Sequence, residues 1–164
     1  MKSLKNFFFL VQPSLYLFIA SFIFVLLPNN LLHMSPDCSF PFIYFWTIFK
    51  PEVLPLFVLL SIGIMIDSVQ GLPLGFHSVL FLFSSMIILY QRNFLYHQSF
   101  SLVWLFFSLF LIIYKALEQL IFKSIMDFPF SFFDLVMSVL FTIFLYPLCS
   151  RISYSNLKRV INLS

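Results

Sequence analysis

The sequence predicts an all-α integral membrane protein: one transmembrane domain, residues 1–164, built as a six-span helical bundle with both termini in the cytoplasm. Composition sets the class. Hydrophobic residues make up 62% of the chain and charged residues 9%, against about 45–50% and about 25% in ordinary soluble domains. A soluble fold would have to expose large apolar patches to house the 26 phenylalanines. Charge placement sets the topology, because the cations fall between apolar runs and gather on one side of six spans. The same spread argues against nucleic acid as a partner. A net charge of +3 without a basic patch makes no phosphate-binding surface.

A helix needs about 20 apolar residues to cross a hydrocarbon core of roughly 30 Å. The first span falls at 10–27 and closes at Pro28. Lys2 and Lys5 precede it as they would a signal peptide. The apolar run is longer than an h-region of about 7–15 residues, however, and PNNLLH follows it in place of a small-residue cleavage site, which predicts an uncleaved span. Span two, 40–49, is short and opens near Pro36 and Pro41. Span three, 53–69, carries Pro51 and Pro55 around its first turns, where proline is tolerated. Spans four, five and six fall at 74–90, 100–122 and 132–148, and 149–164 forms a basic cytoplasmic tail.

With six spans and cytoplasmic ends, the inner segments hold Lys2, Lys5, Lys50, Arg92, Arg151, Lys158 and Arg159, while the outer loops hold Lys123 beside Asp37 and Asp127. That asymmetry is the positive-inside pattern. Cys38 and Cys149 then fall on opposite faces, which excludes a disulfide between them. The tail SRISYSNLKRVINL mixes Ile152, Leu157, Val160 and Ile161 with its cations. It reads as an amphipathic helix on the anionic inner leaflet or as a docking site for a cytoskeletal partner. The Phe-rich faces, Phe7, Phe8 and Phe9 and then Phe106, Phe107 and Phe110, read as lipid-facing bulk.

All three glycines lie in the stretch GIMIDSVQGLPLG. Gly63, Asp67, Gly71 and Gly75 are four residues apart, so in a helix Gly63 and Asp67 share a face. Gly71 reads as the C-terminal stop of span three, where positive φ is cheap. Pro73 reopens the chain, and Gly75 is expected to let another backbone come close. The stretch is therefore a tight turn between spans three and four, its small residues serving either close packing within the monomer or a partner helix.

The order of these positions resembles the rod shape-determining protein MreD family. Pro36-Asp37 stands where that family opens its second span with Pro-Asp or Pro-Asn, and Phe45-Trp46 stands for its aromatic pair. Gly63, Asp67, Gly71, Leu74 and Gly75 match its G-x3-D-x3-G-x-x-LG signature. Leu145-Tyr146-Pro147-Leu148 departs from the Trp-rich end expected of the last span. The resemblance implies a non-enzymatic component of the bacterial inner membrane that helps couple the cytoskeleton to peptidoglycan synthesis. The partners it implies are an MreC-like protein, a RodA-like glycosyltransferase with its transpeptidase, and an MreB-like actin. It also implies a fold like the substrate-binding subunits of energy-coupling-factor transporters, and such a subunit is the alternative function.

Ionisable residues at bilayer depth are costly and mark candidate sites. Asp67 lies about 22 Å along span three and Lys115 a similar distance along span five, and Glu118 follows Lys115 by one turn. These depths predict an Asp67–Lys115–Glu118 cluster joining the two spans, the alternative being residues that snorkel separately to the interface. His33 and Asp37 are spaced as metal ligands only if their turn-rich loop were helical, and His77 and His97 are distant in sequence, so no metal site is expected. No nucleophile-and-base set, HExxH helix or phosphate-binding loop appears, so neither catalysis nor a cofactor is expected.

Overall fold

The computed structural model describes residues 15, 17–19, 21–22, 37–126 and 132–161. Those residues form helices and the turns joining them, with no strand among them. Residues 15, 17–19 and 21–22, in the first predicted span, are helical. After them come α1 (Ser39–Phe49), α2 (Leu56–Gln70), α3 (Phe76–Leu95), α4 (Phe100–Met126) and α5 (Phe132–Ile161). Among the described residues three helices are long and apolar enough to cross a membrane: α3, α4 over Phe100–Ile121 and α5 over Phe132–Leu157. The predicted cations Lys2 and Lys5, and Pro36 of the opening motif, lie outside the described residues.

The short helix α1 occupies the centre. Every residue from Ser39 to Ile48 is buried, as expected of a helix apolar on all sides. It packs against α3 and α5, while α2 pairs with α3 in a hairpin and α4 lies against α5. With 11 residues α1 is about 16 Å long, so it is enclosed by other helices and presents no lipid-facing side. Its ends are closed by its neighbours. The Asp37 N–H just before it donates to Thr142 Oγ of α5 at 3.1 Å. At the other end Arg92 Nε of α3 donates to the Ile48 carbonyl at 2.8 Å, satisfying one of the acceptors a helix C-terminus leaves open and placing a cation where the dipole favours it. Ser21 Oγ meets Ser39 Oγ at 2.8 Å, which ties the first span to α1.

Span three is shorter than predicted. Pro51–Val53 forms a separate 3-10 turn, Pro55 is the N-cap of α2, and the helix starts at Leu56. The cause is local: a residue before proline is disfavoured in the helical region, and Leu54 sits at φ −110°, ψ 79°. Span six is longer than predicted, since α5 continues through the basic segment to Ile161. Ser150, Ser153, Asn156 and Leu157 on its continuation are buried, so that stretch is an extension of the bundle.

Pro147 lies inside α5. Lacking an N–H, it cannot donate to the Ile143 carbonyl one turn back. Trp104 Nε1 of α4 donates to that carbonyl at 3.2 Å, so the gap in one helix becomes the hydrogen bond that joins it to the next. Aromatic rings fill the space around this contact. Phe107 stacks on Tyr146 with centroids 4.3 Å apart and meets Tyr44 edge-on at 5.1 Å, and Phe40 stacks on Tyr114 at 4.4 Å. Phe107 is thus fully buried and Phe106 and Phe110 pack partly against the core, contrary to their expected lipid exposure. The lipid-type face of α4 is instead aliphatic: Leu105, Leu109, Ile112, Ile113 and Leu120. Cys149 is buried in α5, and its thiol and that of Cys38 are both free.

Trp104→Phe is expected to destabilise the bundle by about 1–3 kcal/mol, the cost of stranding a buried acceptor. The loss should shrink sharply on a Pro147→Ala background, where residue 147 regains an N–H. Unfolding of the four proteins of this cycle in detergent checks it, and additive losses would mean that the proline is not the reason for the tryptophan contact.

Candidate functional site

Asp67 closes one helix and opens the next. Gly71, at φ 68° and ψ 27°, ends α2 in the left-handed conformation, and its N–H and that of Leu72 both reach back to the Asp67 carbonyl, as in a Schellman-type ending. The Asp67 side chain turns the other way. Its Oδ2 accepts the Gly75 N–H at 2.7 Å and its Oδ1 accepts the His77 N–H at 3.1 Å, so two of the donors left free at the start of α3 are satisfied by a carboxylate from α2. A negative charge at that end also suits the helix dipole.

The three glycines serve two purposes. Gly71 and Gly75 have positive φ, 68° and 100°, and nothing stands within 4 Å of where their Cβ atoms would be. Their reason is backbone conformation, so the close approach expected at Gly75 is not there. Gly63 is the opposite case. A Cβ at Gly63 would overlap the Ser78 backbone nitrogen and hydroxyl, because α2 and α3 touch at this point. Ser78 Oγ in turn donates to the Leu60 carbonyl at 2.9 Å.

The imidazole of His77 continues the network. Nδ1 lies 2.7 Å from Asp67 Oδ1, and Nε2 lies 3.4 Å from Glu118 Oε1 on α4. Glu118 Oε2 is 2.8 Å from Lys115 Nζ, which also pairs closely with Asp37 Oδ2. The expected cluster of Asp67, Lys115 and Glu118 is therefore present in altered form. Asp67 and Lys115 form no direct pair; His77 stands between Asp67 and Glu118, and Asp37 joins at the far end. The result is one chain of charges, Asp67–His77–Glu118–Lys115–Asp37, drawn from α2, α3, α4 and the segment leading into α1. Asp67 is 0% exposed, His77 3%, Glu118 7% and Lys115 8%, which excludes separate snorkelling to an interface.

Sequence separation hid His77, which lies ten residues from Asp67 across a turn. A signal was available: a polar residue two places after Gly75 lies in the first turn of α3, where free N–H groups draw a carboxylate and bring its partners with it. The other motif residues lie elsewhere. Trp46 is fully buried in α1, meets Phe45 edge-on at 5.7 Å, and its Nε1 has no hydrogen-bond partner among the described residues. Leu74 projects from the α2–α3 turn, 72% exposed. His33 lies outside the described residues. Among the described residues no group of three or more His, Cys, Asp or Glu side chains is arranged to hold a metal ion.

Compared with protein-family models, with curated proteins and with solved structures, the chain matches none.

Replacing Asp67 by Leu is expected to cost about 3–5 kcal/mol, since it leaves buried charges without their partner. Asp67→Asn, which keeps an acceptor for the Gly75 N–H, should cost less. Equal losses in detergent unfolding would remove the cap as the reason for the carboxylate. Gly75→Ala should cost about 1–2 kcal/mol through backbone strain alone, with no change in helix content by circular dichroism. A neutral result would mean that the turn readily adopts another conformation.

Proposed function

We propose that this chain is a non-enzymatic component of the bacterial inner membrane that assembles with the cell-elongation machinery, as MreD-like proteins do. The observation that carries the reading is the α2–α3 hairpin. Gly63, Asp67, Gly71 and Gly75, four of the five residues of the signature, each have a distinct physical task there: close contact, double capping, helix ending and helix opening. A pattern in which four positions have separate mechanical reasons supports a shared design over a chance spacing of glycines.

In this reading both termini are cytoplasmic and the Asp67 end of the bundle faces outward. The partners are an MreC-like protein, a RodA-like glycosyltransferase with its transpeptidase, and an MreB-like actin reached from the cytoplasmic side. The bundle offers them exposed aliphatic faces and the Leu74 turn, and binding draws on van der Waals packing, because apolar burial drives little association between helices already in lipid. The ionisable groups inside are engaged with one another. That supports a packing role over a substrate-binding transporter subunit, which needs polar groups converging on a ligand.

Crosslinking in native membranes followed by mass spectrometry of the tagged protein tests the reading. Recovery of the MreC-like, RodA-like and transpeptidase proteins is expected, with recovery reduced at least several-fold in Gly71→Leu. Recovery of transporter ATPases with a coupling membrane protein, and no cell-wall enzymes, would overturn it.

A further inference from the structure

The buried chain of charges is not balanced. It contains three carboxyl groups, Asp37, Asp67 and Glu118, against the single ammonium of Lys115 and the ring of His77. The ring faces a carboxylate oxygen at each nitrogen, and a neutral imidazole has only one N–H to give, so two ionised neighbours require both nitrogens protonated. Even then the sum is one negative charge; with a neutral ring it is two. The other cations whose side chains are described lie away from the chain. Arg92 binds Ile48 at the opposite end, close to Lys50, while Lys123 and Arg151 are exposed. Among the described residues nothing else compensates this charge, which is costly at such burial, and a proton on one carboxyl would remove it.

Geometry selects which one. Asp67 accepts from the Gly75 N–H, the His77 N–H and the His77 ring, three donors that hold it ionised. Glu118 has two cationic neighbours, His77 and Lys115. Asp37 has Lys115 alone as an ion-pair partner and shares it with Glu118. Its Oδ2 is buried and, apart from the contact with Lys115, has no hydrogen-bond partner among the described residues. A second observation points to the same place. The Tyr114 hydroxyl, one residue before Lys115, is buried without a hydrogen-bond partner among the described residues and within electrostatic range of Glu118, Asp37 and Asp67. A buried hydroxyl is normally paired, and this one is a free donor and acceptor beside the cluster.

We propose that this end of the bundle is a binding site for one exchangeable proton, carried on the Asp37 carboxyl beside Lys115, Glu118 and Tyr114. The site stands independently of the elongation reading. Among the described residues, the groups facing Asp37 are Lys115, Glu118 and Tyr114 of α4, His77 of α3, the adjacent Cys38 thiol, and the Thr142 hydroxyl of α5, which holds the Asp37 N–H. Loss of the proton gives Asp37 a full negative charge and strengthens the close pair it already makes with Lys115, at the expense of the Lys115–Glu118 pair. Proton occupancy thereby sets how Lys115 is shared between its own helix and the central one.

Infrared difference spectroscopy of the full chain in lipid nanodiscs, titrated from neutral to alkaline pH, reads the protonated carboxyl through its C=O stretch above the carboxylate region. We expect such a band at neutral pH, shifted in D2O and bleached on alkalinisation. It should be absent in Asp37→Asn, moved in Asp37→Glu and unchanged in Glu52→Gln, which alters an exposed carboxyl in the turn before α2. No band in the wild-type protein overturns the proposal, whether or not the variants fold. A band that survives Asp37→Asn overturns it as well. So does a band seen only when sodium is replaced by a large organic cation, because the site would then bind a metal cation.

Discussion

Three donors converge on the Asp67 carboxylate, two from the backbone of α3 and one from the His77 ring, and the relative placement of α2, α3 and α4 follows from them. In a bundle this apolar, each polar group left without a partner costs more than it would beside water. The start of α3, like any helix start, presents N–H groups that have no partner within the helix. A carboxylate from the preceding helix satisfies two of them, and its charge is opposite in sign to the positive end of the helix dipole. Its reach is short, so α2 must end where it does: Gly71 turns the chain and Gly75 aims an N–H back along it. Gly63 then brings the two helices into contact one turn earlier along α2. The hairpin is thus determined from one side chain outward.

The same carboxylate fixes the next layer. Because its Oδ1 holds the His77 ring at Nδ1, Nε2 points away from α2 and toward α4, where Glu118 meets it. Lys115, one turn before Glu118, then bridges to Asp37 at the entrance to α1. Buried ion pairs add little net stability over well-packed apolar residues, since desolvation offsets most of the attraction. Their effect here is on specificity. Leucine and phenylalanine faces tolerate rotation and sliding, whereas a chain of five ionisable groups from four segments has one register in which every charge meets an opposite one.

Much of this fold was legible in the sequence. Hydropathy located the helices. The glycine spacing marked the hairpin, and depth along the helices placed Asp67 with Lys115 and Glu118. The rest depended on facts that hydropathy does not carry. Pro55 delayed α2 because the residue before a proline resists helix, which a count of apolar residues passes over. Hydropathy ended the last span at 148, yet α5 continues to Ile161, and Trp104 of another helix donates to the Ile143 carbonyl that Pro147 cannot reach. His77 sits ten residues from Asp67, across a turn whose geometry decides whether they meet. The span lengths alone could not separate a lipid-facing α1 from an enclosed one.

The enclosure of α1 explains why the polar groups lie where they do. A helix of 11 residues surrounded by longer ones leaves its ends inside the bundle, and helix ends carry the backbone groups that have no partner of their own. Its start is held through Asp37 by Lys115 and Thr142, and its end through Ile48 by Arg92. Both solutions use a cation from a neighbouring helix, and both therefore join α1 to an element that spans the bundle. The buried polar groups that hold α1 come from the bodies of longer helices, Lys115 and Thr142 at its start, and from the last turn of α3, Arg92 at its end. The entrance of α1 therefore lies at a helix that is enclosed among the described residues and packs against both α3 and α5.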